Sequence, residues 1–216
     1  MPHNRETVTL PIFPMPGVVF PAMRMKLRLS HDHFLQGLAD LVETDTTLCA
    51  TLARYTGGDP GAGDLVEPHL IGTTARILDV IPVTADADDI VLVGISRIHL
   101  LSYRHNGRQL VGQARYLPDL PESVPMLLLE EARALASELG STLALPASSQ
   151  VETWLSPPKP AETLSYWIAA LLPINTDDRQ ELLELRTSSA RLSKQVGHMR
   201  TILDALRSEF TREPSS

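Results

Sequence analysis

A chain of 216 residues that is 43% hydrophobic and 21% charged carries enough apolar mass to bury a core, as one large domain or two small packed subdomains, and disorder is excluded as a reading. The formal net charge of -7 at pH 7 disfavours a nucleic-acid partner, because such binding draws most of its affinity from Lys and Arg on phosphates. A single cysteine, Cys49, rules out an internal disulfide and a cysteine-held zinc and fits a reducing compartment.

No charged-then-apolar leader opens the sequence, and no apolar run approaches the ~20 residues that span a bilayer, so a soluble bacterial-type cytoplasmic protein without membrane contact is expected. Thr7 to Phe13 and Met25 to Leu29 are β-prone runs. In the second, Met25, Leu27 and Leu29 alternate with Lys26 and Arg28 at the period of a half-buried strand. Pro14-Met15-Pro16-Gly17 lies between them as a turn. Ser30 is a suitable N-cap, and Phe34, Leu35, Leu38, Leu41 and Val42 recur at helical spacing, which predicts a helix over about 31–43. Leu48 to Ala53 and Thr73 to Val83 supply further strands, separated by the turn formers Gly57-Gly58-Asp59-Pro60-Gly61. An acidic tip, Asp86-Ala87-Asp88-Asp89, precedes strands at Ile90 to Ile95 and Ile98 to Tyr103, and Asn106-Gly107 is a hairpin signal because both residues tolerate positive φ.

From about Pro125 the period becomes helical, over Met126 to Leu139, Ser149 to Leu155 and Ala161 to Leu172. Asn175 or Thr176 is placed to cap a long final helix that carries Asp177 and Asp178 in its first turn and reaches Phe210. Along it Leu185, Leu192, Val196, Met199, Leu203 and Leu206 form a stripe with a polar gap at Ser189, suited to packing on its own bundle or to dimerisation. The expected fold is α+β, with a β-rich part over 1–120, a helical part over 121–210 and a disordered tail at 211–216.

The opening Leu10-Pro11-Ile12-Phe13-Pro14-Met15-Pro16-Gly17-Val18-Val19-Phe20-Pro21 is similar to the LPLFPL…VVLFPG signature that begins the substrate-binding N-terminal domains of Lon proteases. Ile71-Gly72-Thr73-Thr74-Ala75-Arg76-Ile77 resembles that family's VGTxAxI strand, and Val93-Gly94-Ile95-Ser96-Arg97-Ile98 resembles its G-x-x-R strand. Trp167 to Pro173, followed by Arg179-Gln180-Glu181-Leu182-Leu183-Glu184, is similar to the stretch that closes the domain. The resemblance runs in order across nearly the whole sequence. It implies a PUA-like pseudo-barrel β subdomain followed by a helical bundle, and a stand-alone copy of the domain without the family's ATPase and peptidase parts. At Leu29-Ser30-His31-Asp32-His33-Phe34 the chain departs from the family's IFEPRY-like run, so contacts made by those family positions are not carried over.

None of the lysines Lys26, Lys159 and Lys194 follows a glycine, so no phosphate-cradling G-x-x-x-x-G-K-[ST] loop exists here. His31-Asp32-His33 invites a metal, but residues two apart point to different faces at a helix start and no further ligand motif accompanies them. No catalytic residue, cofactor or metal is expected. Met15, Val18, Phe20, Met23 and Met25 are the candidate polypeptide-binding residues, since methionine's unbranched, polarizable side chain suits surfaces that accommodate varied sequences; the plain alternative is that they fill the core. The expected function is non-enzymatic recognition of unfolded or degron-bearing polypeptides, or docking to a Lon-type protease. The rivals are a small-ligand binder or enzyme using the cleft between the subdomains, and an RNA-contacting module in which Arg104, His105 and Arg108 form a basic hairpin tip.

Overall fold

The computed structural model describes residues 7–30, 47–56, 65–84, 87–106, 109–143 and 157–210. The helix expected over about 31–43, the helix expected at Ser149 to Leu155, the His31-Asp32-His33 run and the tail 211–216 lie outside the described residues. The chain divides into two compact units, Met1–Pro118 and Asp119–Ser216.

The first unit is a sheet built from β1 (Thr7–Met15), β2 (Arg24–Ser30), β3 (Leu48–Thr56), β4 (Leu65–Pro68), β5 (Ile71–Thr84), β6 (Ala87–Asn106) and β7 (Gln109–Tyr116). The strand path is β1-β7-β6-β5-β3-β4, with β2 added on β6. A parallel pairing of β1 with β3 joins two members of that path and closes β1, β7, β6, β5 and β3 into a barrel. The other pairings are antiparallel. Alternation explains the two apolar clusters. Phe13, Met15, Leu48, Ala50, Ala75, Ile90 and Leu92 meet on one side, while Ile12, Cys49, Ile98, Leu100, Leu110 and Ala114 meet on the other, so β1 and β3 are packed on both faces.

The structure differs from the sequence expectation in three places here. The two strands expected at Ile90 to Ile95 and Ile98 to Tyr103 are one 20-residue strand, β6. Register shifts at Thr74/Ala75 against β5 and Leu100/Ser102 against β7 bend it, so one strand serves β2 at its start and β7 at its end. The four residues of β4 are too few to show a period. Asp88 and Asp89 belong to β6 rather than to a tip, because they pair with Pro82 and Ile81 of β5.

The second unit holds helices α1 (Met126–Leu143), α2 (Ala161–Leu171), α3 (Thr176–Glu184) and α4 (Ser188–Phe210). Asn175 caps α3 by accepting the Asp178 N–H at 2.8 Å, with Asp177 and Asp178 in the first turn. Arg179 reaches back to donate to the carbonyls of Ala170, Leu172 and Ile174 at 3.1, 2.7 and 3.3 Å, satisfying acceptors that the end of α2 leaves open. The single long final helix is in fact two. Thr187 accepts the Ala190 N–H at 3.2 Å as a new N-cap, and Glu122 takes the Ser189 N–H and hydroxyl at 2.6 Å each, so the Thr-Ser-Ser run starts a helix instead of continuing one. The stripe on α4 is consumed inside this unit: Leu192, Val196, Met199 and Leu203 are buried, and α4 packs against α1 and α2. Ala132, Ala136 and Gly140 supply small buried positions on α1. Ion pairs Glu131–Arg200 and Glu138–Arg207 step along α1 and α4 in the same order, so these two helices run parallel.

Candidate polypeptide-binding surface

The segment that carries the candidate residues is bound to the barrel along its length. Phe20-Pro21-Ala22-Met23 is a turn in which the Met23 N–H donates to the Phe20 carbonyl at 3.2 Å. Proline presets the second position, and Ala22 takes φ 62 at the third. Thr73 Oγ1 donates to the Val19 carbonyl at 2.6 Å, the Ala22 N–H donates to the Gly94 carbonyl at 2.9 Å, and the Gly94 N–H donates to the Met23 carbonyl at 3.0 Å. The segment is thereby pressed onto β5 and β6. Met15, Val18 and Phe20 are each 1% exposed and work as core, correcting any outward-facing role for them in this conformation. Met23 and Met25 are half-buried, and Met25 leans on the cluster containing Leu92 and Ile90.

Met25 belongs to a three-stranded arm, β2–β6–β5. Register aligns Met25, Leu92 and Ile77 in one row and Leu27, Ile90 and Val80 in the next. β3 pairs with β5 only over Thr73 to Ala75, so among the described residues the outer edge of β5 beyond Ala75 has no strand partner. That stretch exposes Leu78, Ile81 and Val83, at 41%, 39% and 39%. An apolar edge strand is a template for pairing with another chain. Sequence reading placed a strand here without detecting that half of it lies on an edge.

Asp89 fixes the arm's opposite border. Its carboxylate accepts Arg28 Nε at 2.8 Å and Lys26 Nζ at 2.8 Å. Hydrogen bonds from Arg28 and then Lys26 hold its pKa down, at about 2 against an ordinary 3.8. A depressed folded-state pKa means that the carboxylate adds stability above the ordinary value and loses that contribution as pH falls through the folded one. Asp89→Asn is therefore expected to be less stable than the parent chain at pH 5, with the gap closing between about pH 4 and pH 2. Urea titrations at a series of pH values measure it, and a gap independent of pH would contradict the assignment.

Other chemistry is sparse. Among the described residues no group of three or more His, Cys, Asp or Glu side chains could hold a metal ion. Cys49 is 0% exposed, and burial pushes its thiol up to about 12, which keeps it protonated and a poor nucleophile. Arg104 and His105 are exposed at the end of β6, while Arg108 lies outside the described residues. Among the described residues no helix is long and apolar enough to cross a membrane.

A closed, mostly antiparallel β barrel with an added strand, followed in sequence by four described helices, defines the α+β class to which known proteins were compared. The family model of the ATP-dependent protease La (LON) substrate-binding domain matches residues 9–201, and the chain belongs to that family. The Lon protease of Erwinia amylovora is 24% identical over 213 residues, covering 96% of this chain and 26% of that protein. The Lon protease of Rhizobium meliloti is 26% identical over 208 residues, covering 94% and 25%. The chain thus spans about a quarter of the length of the curated relatives it matches. The crystal structure of a Lon N-terminal domain protein from Xanthomonas campestris aligns with TM-score 0.59 at 22% identity over 88% of this chain and 98% of that one. The N-terminal domain of a Mycobacterium avium complex Lon protease aligns with TM-score 0.61 at 17% identity, over 89% and 98%. At these identities the alignments establish the fold.

Proposed function

We propose that these 216 residues bind unfolded or degron-bearing polypeptide without acting on it chemically, and that the β2–β6–β5 arm is where they do so. An extended segment would add as a strand along the part of β5 that carries Leu78, Ile81 and Val83, its main chain pairing with that edge while its apolar side chains settle against those three residues. Met23 and Met25 would adapt to differing side chains at the arm's base. The observation that carries this reading is the combination, in one stretch of β5, of an edge without a strand partner among the described residues and three large apolar side chains in the open. Membership in a family described by its substrate-binding domain supports it, and a Lon-type protease is the natural recipient of what is captured.

The test is a titration of the chain with a labelled, permanently denatured protein and with the folded form of the same protein. Preferential binding of the denatured form is expected, and the triple variant Leu78→Lys, Ile81→Lys, Val83→Lys should weaken it at least about tenfold, since strand addition and apolar burial are both opposed by edge lysines. Equal affinity for the two forms, or a triple variant that binds as the parent does, would sink the proposal.

A further inference from the structure

The chain is acidic overall, yet its charge is not evenly spread. It holds 26 Asp and Glu residues, and none falls in Thr7–Met15, in the span from Arg97 to Asn106, or in Gln109–Tyr116. These segments are β1, the latter half of β6, and β7, which lie side by side in the barrel wall. The apolar cluster of Ile98, Leu100, Leu110 and Ala114 takes their inner face. Their outer face is set by register: Thr7, Arg115 and His99 form one row, Thr9, Gln113 and Ser102 the next, and Pro11, Val111 and Arg104 the third. Thr9, Gln113, Ser102, Arg104 and Arg115 are all exposed. Among the described residues neither guanidinium has an ion-pair or hydrogen-bond partner. A shallow concavity of about 340 Å³ lies on this face, with Thr9, Ser102, Arg104 and Gln113 in its lining.

We propose that this face is a second recognition site, taking an extended acidic stretch of polypeptide laid along β7. Arg104 lines the concavity and Arg115 lies two residues past Gln113 along β7, so the two stand in rows separated by four residues of strand, which is about 14 Å at roughly 3.4 Å per residue. Carboxylates four residues apart on an extended peptide have the same spacing, so one pair of acidic side chains meets one pair of guanidiniums. The Thr9–Gln113–Ser102 row between them offers neutral donors and acceptors to the intervening peptide groups. A nucleic acid fits less well. Its closely spaced phosphates call for cations throughout the track, whereas the middle row here is uncharged and the rest of the chain repels a polyanion. The site is distinct from the β5 edge and does not rest on the reading given to that edge.

Fluorescence polarisation with the whole chain tests it, using a labelled Gly/Ser/Thr peptide that carries two glutamates four residues apart, the same peptide with glutamines, and an oligouridylate of equal length. The glutamate peptide is expected to bind about tenfold tighter than the glutamine one at low salt, and to lose that advantage at high salt. Arg104→Gln and Arg115→Gln should each weaken it several-fold, and the pair together should erase the difference between peptides. Both positions are exposed, and circular dichroism of the variants checks that the fold persists. Equal affinity for the two peptides, absence of binding, indifference to both arginine variants, or an oligouridylate that binds more tightly than the glutamate peptide would each overturn the proposal, the last in favour of RNA.

Discussion

Arg191→Ala is expected to lower folding stability by about 3–5 kcal/mol, measured by urea denaturation of the full chain. Arg191 is 0% exposed, and all three of its guanidinium nitrogens donate hydrogen bonds. It is ion-paired with Asp119, donates from Nε to Ser165 Oγ at 2.8 Å and from Nη1 to the Leu185 carbonyl at 2.8 Å, and lies 4.0 Å from the centre of the Tyr166 ring. Asp119 in turn accepts the Tyr166 hydroxyl at 3.0 Å and the Ser188 hydroxyl at 3.2 Å. The group ties the start of the second unit, the middle of α2 and the α3–α4 junction to one point. Truncating the arginine strands a nearly buried carboxylate, which costs far more than the pair contributes net, because the partner's desolvation is then uncompensated. Arg191→Lys should recover only part of the loss, since an ammonium cannot present the planar fork that reaches these acceptors together. Combining Arg191→Met with Asp119→Leu should cost much less than the sum of the single truncations. A loss under about 1 kcal/mol for Arg191→Ala would show that the network is incidental.

The parts of this molecule that were legible in its sequence are those where neighbouring residues carry the signal. Strand alternation at Met25 to Leu29, the Asn175 cap and the α4 stripe are local patterns, and each has its counterpart in the structure. What escaped depends on partners far along the chain. Asp119 sits in a proline-rich stretch that resembles a linker and is matched by Arg191, on what looks like the polar flank of an amphipathic helix. The break after Glu184 follows from the same arginine claiming the Leu185 carbonyl, together with the Thr187 cap. Asp89 looked like part of a solvated tip because its partners, Arg28 and Lys26, lie on a strand brought alongside only by the fold. The candidate surface suffered in the same way. Met15, Val18 and Phe20 have the composition of an adaptable groove, and composition cannot say which way a side chain faces once the Pro21 turn binds the segment to β6. The exposed Leu78, Ile81 and Val83, by contrast, lie in a strand that was read correctly, and only the topology reveals that beyond Ala75 it pairs, among the described residues, on the β6 side alone.

Gly94→Ala should be the most damaging methyl group that can be added to the barrel, with an expected loss of at least about 3 kcal/mol. A Cβ there would stand 2.2 Å from the Phe20 carbonyl oxygen, 2.8 Å from its carbon and 3.1 Å from Thr73 Cγ2. The first two are backbone atoms in a turn that is itself hydrogen-bonded to Gly94 through both Ala22 and Met23, so the clash cannot be relieved by a rotamer change. To make room, the turn must lift from β6, breaking those hydrogen bonds and unseating Val19 and Phe20 from the core. Ala22 already holds an unfavourable left-handed φ of 62, a cost of about 1–2 kcal/mol for a residue with a side chain, which leaves the turn little tolerance for further distortion. Gly197→Ala is the matched control: it lies within α4, nothing stands within 4 Å of the added carbon, and the change should stabilise by about 0.5–1 kcal/mol through helix propensity alone. Thermal melts of the two variants separate the effects. The Tm of Gly94→Ala should fall well below that of the parent while that of Gly197→Ala rises slightly; if the two moved together, the close approach of the Pro21 turn to β6 would not be what holds Met23 and Met25 at the base of the arm.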